Sequence, residues 1–153
     1  MGVRLFLLLL LIPAGCTGVA PPRTVPPEVR LLDLVPVRLG LFEQELEARL
    51  RIVNPDTVPL AARGIRFTLE TEGAPLGSGV DDTPFTVPPL GETVITAPLY
   101  VSTTTLVERI LQLAGGRGIT YRLAGDILLA RGAADGEALP FETEASLRLP
   151  GTS

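Results

Sequence analysis

Few residues in this chain have the types and spacing that chemistry needs. There is no histidine among the 153 residues and a single cysteine, Cys16, so nucleophile pairs and triads that rely on a histidine base are excluded. The carboxylate pairs are Asp81-Asp82, Glu45 with Glu47, and Glu142 with Glu144. Asp81-Asp82 follows a strand-like run and could donate to a Ca²⁺ site, but such a site takes six to eight oxygens and no spaced set of partners accompanies it. The two glutamate pairs fall on the wet face of alternating runs and read as solvated surface. The run Ser102-Thr103-Thr104-Thr105 suits a helix start better than a nucleophile. Gly115-Gly116-Arg117-Gly118 follows a helix-like segment instead of opening one, contrary to what a phosphate loop requires. The expectation is a protein without catalytic residues, cofactor or metal.

Cys16 is the exception. Met1–Arg4 is a short basic start, Leu5–Ile12 is an unbroken apolar run, and Pro13-Ala14-Gly15-Cys16 closes it with small residues. This is the order of a secretory signal, and the run is far shorter than the roughly 20 residues of a spanning helix. Ile12–Cys16 resembles a bacterial lipoprotein signal, although Pro13 stands where that pattern usually has Leu. The resemblance implies cleavage after residue 15, lipid on Cys16, and a membrane as partner through that lipid. Thr17 supplies no Asp after the cysteine, so the expected location is the outer membrane, facing the periplasm.

Loss of Arg4 with the signal takes the formal charge from −4 to −5, and every basic side chain is Arg. An acidic chain with no basic tract is unsuited to nucleic acid, whose affinity is mostly phosphate neutralisation. With no second cysteine for an internal disulfide, stability must come from an apolar core. Residues 16–28 hold a Pro-rich linker, either a semi-rigid spacer of roughly 35 Å at about 3.1 Å per residue or a disordered lead-in with no spacing role, and residues 29–150 are expected to form the domain.

That domain reads as strands. In Glu45–Val53, Leu46, Ala48, Leu50 and Ile52 alternate with charged residues, and Ile65, Phe67 and Leu69 do so in the next run. A period of two means one buried and one wet face. Asn54-Pro55-Asp56 is a structural turn between these runs, with Pro fixing φ and the polar side chains bonding local backbone. Further strands are expected at Val29–Leu41, broken or at an edge because of Pro36, at Leu76–Val80, through Ile95–Val101, at Ile119–Leu129 and at Phe141–Leu149. Glu72-Gly73-Ala74-Pro75 reads as a turn and residues 81–91 as a loop from which Phe85 and Val87 reach the core. One short helix, about 103–113, is stopped by Gly115-Gly116, and 131–139 is a hairpin connection. Seven strands and one helix imply an all-β, antiparallel β-sandwich of the fibronectin type III or immunoglobulin kind.

The order of turns carries a further likeness. An alternating strand ends at Asn54-Pro55; Pro59-Leu60, Gly64-Ile65, Gly77–Val80 and Phe85-Thr86-Val87-Pro88 follow. From about Leu31 to Leu149 this resembles the late embryogenesis abundant type 2 family, the water stress and hypersensitive response domain, with Asp56 in place of its usual second Asn. The resemblance implies a folded β-sandwich, no catalytic residues and a protective role in desiccation or other water stress. The alternative is a lipid- or protein-binding module of the cell envelope; client proteins or lipid are the expected partners.

Overall fold

The computed structural model describes residues 25–113, 119–130 and 138–147. The signal, Cys16 and most of the linker lie outside the described residues, as do Gly115–Gly118 and 131–137.

Alternation of apolar and polar residues produces eight strands: β1 (Glu28–Leu39), β2 (Glu43–Val53), β3 (Leu60–Thr71), β4 (Ala74–Asp81), β5 (Phe85–Val87), β6 (Glu92–Ser102), β7 (Ile119–Leu129) and β8 (Ala138–Leu147), with one helix, α1 (Thr103–Leu113), between β6 and β7. All pairings are antiparallel. The strands follow one continuous path, β1-β2-β6-β4-β3-β7-β8, with β5 added to β3. The link between β6 and β4 is short, Gly77 opposite Val101 and Ser78 opposite Tyr100, and around it the sheet curls. The Tyr121 hydroxyl of β7 donates to the Leu31 carbonyl of β1 at 3.5 Å, joining strands that lie far apart in the path. Between the apolar faces sits the core, with Leu50, Ile52, Leu60, Ile65, Leu69, Leu99, Leu123 and Ile127 fully buried.

Four sequence expectations change. Residues 81–91 are not all loop: Phe85–Val87 is a strand whose Val87 pairs with Leu60 and whose Phe85 pairs with Ala62. Accordingly, Leu60 to Gly64, which the alternation of Ile65, Phe67 and Leu69 does not include, is the first half of β3. Gly64 and Ile65 are both buried in succession, and the register with β7 shifts between Ala62 and Gly64. This bulge reverses the alternation, so Leu60 and Ala62 face the same core as Ile65, Phe67 and Leu69. The turn after β3 is tighter than expected. Glu72 (φ 49°) and Gly73 (φ 75°) form it alone, with Thr71 opposite Ala74; two successive positive φ values give the two-residue turn that matches strand twist. Finally, β8 begins at Ala138 and not Phe141.

Pro36 stands within β1, which among the described strands pairs only with β2 and slips register twice, between Leu31 and Asp33 and between Pro36 and Arg38. Proline is tolerated there because an edge strand needs donors on one side only. The helix falls where its spacing put it, and Ser102 caps it by accepting from the Thr105 amide at 3.2 Å.

Candidate functional site

Most of the side chains with chemical potential are engaged in structure, and the rest are exposed. Asp81 accepts from the Thr83 amide at 2.9 Å, a local turn with Asp82 exposed beside it. Among the described residues no group of three or more ligating side chains gathers around a metal position. Glu45 lies 3.9 Å from Arg38. Arg122 sits between Glu142 at 2.9 Å and Glu70 at 3.3 Å. Its hydrogen bond and charge hold the Glu142 carboxyl below the usual carboxylate range, while the two glutamates raise the Arg122 guanidinium. Glu144 is exposed. Ser102 and Thr103 serve the helix start.

Asn54-Pro55-Asp56 does more than reverse the chain. Asn54 is 1% exposed. Its Nδ2 donates to the Val58 carbonyl at 2.8 Å and the Pro88 carbonyl at 3.1 Å, and its Oδ1 accepts from the Asp56 amide at 3.3 Å. The backbone joins the same neighbours: the Asn54 amide donates to the Gly91 carbonyl at 2.8 Å, and the Leu90 amide to the Asp56 carbonyl at 2.9 Å. Asp56, also buried, accepts from the Thr57 amide at 2.7 Å. The turn is therefore a junction between the β2–β3 and β5–β6 connections. Its polar groups are directed at backbone, which is what a structural role requires.

Two features carry no functional signal in the sequence. The first is a groove of about 530 Å³ across β4, β3, β7 and β8, lined by Ser78, Thr68 and Ala124 and walled by the Arg66–Asp126 ion pair at 2.9 Å. It exists because Thr68 stands opposite both Ser78 and Ala124, while Phe67 stands opposite two glycines, Gly79 and Gly125. Small side chains meet there through register, which no one-strand pattern reveals.

The second is the turn between β1 and β2. Gln44 is 4% exposed; its Nε2 donates to the Gly40 carbonyl and to Thr103 Oγ1 at 2.7 Å. The Gly40 amide donates to the Glu43 carbonyl at 3.2 Å, and the Thr103 amide to the Phe42 carbonyl at 3.0 Å. Around this brace Leu39 is 74% exposed and Leu41 and Phe42 are each 87% exposed. A buried glutamine thus fixes a tip whose apolar side chains face outward.

No helix among the described residues is long and apolar enough to cross a membrane. Among curated proteins none matches the chain. Of solved structures, AT1g01470 from Arabidopsis thaliana is similar in fold: TM-score 0.61 at 19% identity, covering 84% of this chain and 85% of that one. A protein from Archaeoglobus fulgidus matches with TM-score 0.48 at 23% identity, over 82% of this chain and 98% of that one. Residues 49–144 match the late embryogenesis abundant protein family, LEA_2. That span runs from the middle of β2, through the Asn54 junction and the Glu72-Gly73 turn, into β8. The chain belongs to the late embryogenesis abundant type 2 family.

Proposed function

We propose that this protein is a non-catalytic lipoprotein of the bacterial cell envelope, held by lipid on Cys16 and facing the periplasm from the outer membrane. There it protects neighbouring proteins or membrane when water is withdrawn. The observation that carries this reading is the family match over residues 49–144, joined to the Ala14-Gly15-Cys16 ending of the apolar signal. In this reading the curled sheet is a sandwich of the fibronectin type III kind, with β1, β2 and β6 in one layer and β4, β3, β7 and β8 in the other. Its acidic surface, ion-paired across strands, keeps client surfaces apart by excluded volume and charge. The absence of histidine and the structural engagement of Asp81, Glu45, Glu142 and Ser102 support a role without catalysis.

The test is recovery of a labile enzyme after drying or freezing beside this protein, against an inert protein of equal size at equal mass. Equal recovery sinks the protective role. Mass spectrometry of the native amino-terminal peptide decides the anchor, since an unmodified Cys16 thiol ends it.

The groove over Thr68 favours a second reading, a lipid- or protein-binding module of the envelope. Filling it by Ala124→Phe would abolish binding of such a ligand and leave any drying protection intact.

A further inference from the structure

The tip between β1 and β2 combines two properties that rarely occur together on a surface. Its large side chains, Leu39, Leu41 and Phe42, are apolar and almost wholly exposed. Three of its carbonyls are nonetheless bonded from within: those of Gly40, Phe42 and Glu43 each accept a hydrogen bond, from Gln44, Thr103 and Gly40 respectively. A turn in water has no need of that economy, because solvent bonds its carbonyls. A turn entering hydrocarbon does, since each polar group left unpaired there costs several kcal/mol by the general rule for bilayers.

We propose that this tip inserts into the surface of a lipid bilayer, and that it orients the domain on the membrane. The inference rests on the lipid-anchored reading above, to which it adds a second point of contact.

Charge decides which surface. Arg38 is the one cation adjoining the tip in sequence, and it lies 3.9 Å from Glu45, with Glu43 also close in sequence. With no net positive charge, the tip suits a zwitterionic lipid surface and does not depend on anionic lipid. Area argues against a protein partner. Even with Val37 and Val35, which continue the Leu39 face of β1 at 55% and 41% exposure, these side chains offer on the order of 600 Å² when fully covered, short of the roughly 800 Å² per partner of a stable interface. Chain length permits the geometry. The described chain enters β1 at the end remote from the tip, about 40 Å away at the usual strand rise. Residues 16–27 span roughly 35 Å when extended. A tilted domain can therefore lower its tip to the surface that holds Cys16. Several acyl chains on Cys16 already anchor stably; what the tip adds is a fixed orientation of the domain on the surface.

The chain has no tryptophan, so Phe42→Trp places a single reporter at the tip, and Val94→Trp places a control on β6, where Val94 is 43% exposed. Each full-length protein is reconstituted in phosphatidylcholine vesicles carrying bromine-labelled acyl chains, and the mass of its Cys16 peptide is read from the same sample. The expected result is strong quenching and a blue shift for Phe42→Trp and neither for Val94→Trp, unchanged between low and high salt. Adding Leu41→Asp lowers the quenched fraction about tenfold. Lipid on Cys16 with no quenching at either position overturns the tip and leaves the anchor standing. Quenching at the tip with an unmodified Cys16 upholds the tip and sinks the anchor; an unmodified Cys16 without quenching sinks both. Equal quenching at both positions overturns a tip-first orientation. A blue shift that grows with protein concentration in the absence of vesicles assigns the tip to a second copy of this chain and overturns the proposal.

Discussion

Asn54 Nδ2 donates to the carbonyl oxygen of Pro88 at 3.1 Å, across 34 residues of sequence. One amide group thus holds the β2–β3 turn against the segment that leads into β6, and it does so while 1% exposed.

Removing that amide strands the partly buried carbonyls it serves. Asn54→Ala is expected to destabilise the fold by about 1–3 kcal/mol, the cost of leaving one or two partly buried acceptors without their donor. Asn54→Asp keeps the size and loses the donor, so near neutral pH it costs at least as much. Urea midpoints at unchanged slope measure both, and a variant within about 0.5 kcal/mol of the parent would end the argument.

The glycines divide by cause. A Cβ at Gly125 would meet the Phe67 Cα at 2.7 Å, and that neighbour is backbone. Gly125→Ala is therefore expected to cost about 2–3 kcal/mol by forcing β3 and β7 apart. At Gly73 a Cβ meets nothing within 4 Å, but φ is +75°; Gly73→Ala should cost only about 1 kcal/mol, the conformational penalty alone. Thermal unfolding of the two variants side by side checks the order, and a larger loss at Gly73 would reverse the reasoning.

Acid should release the Arg122 cluster. Glu142 titrates below the ordinary carboxylate range when folded, because Arg122 bonds and attracts its charged form. A depressed folded value contributes stability above the unfolded pKa of about 4.3, and that contribution is lost as pH falls through the folded value. The group is exposed, so the contribution is small and screened by salt. In Arg122→Gln the Glu142 carboxyl, followed by carbon NMR, should titrate higher, with a shallower acid limb of stability; an unmoved titration would show that the pair is not formed in solution.

Gln44 joins the β1–β2 tip to the first residue of α1. Gln44→Leu fills the space but leaves the Gly40 carbonyl without this donor, with an expected cost of about 1–3 kcal/mol. Hydrogen exchange should speed up first at the Gly40 and Thr103 amides. Uniform acceleration across all strands would mean a general loss of stability instead.

Much of this architecture is legible along the chain because alternation is local. Leu46, Ala48, Leu50 and Ile52 announce their common face without reference to any neighbour, and all four are buried. Leu60 and Ala62 are out of step with Ile65 and Phe67, and only the bulge at Gly64, forced by pairing with β7, brings them together. Likewise Val87 is recognisably a core residue, but whether its segment forms a strand depends on β3 lying alongside. Asn54 reads as a turn residue from Pro55; its reach to Pro88 does not, since the donor's partner is fixed by tertiary contact. Gln44 gives no signal in sequence because burial of a glutamine depends on acceptors from two other segments. The exposed tip is partly legible: Gly40-Leu41-Phe42 marks a bend, and the outward direction of its side chains comes from the brace.

The interrupted β1 has a consequence for self-association. Any process that removes water concentrates the protein, and an open strand flank is where identical chains first zip together. Here that flank carries a proline in mid-strand and two slips of register within twelve residues. No second chain can run a continuous ladder of hydrogen bonds along it. Crowding that would zip a smooth flank into a fibril finds no template along β1, so association through this edge is disfavoured even at high density.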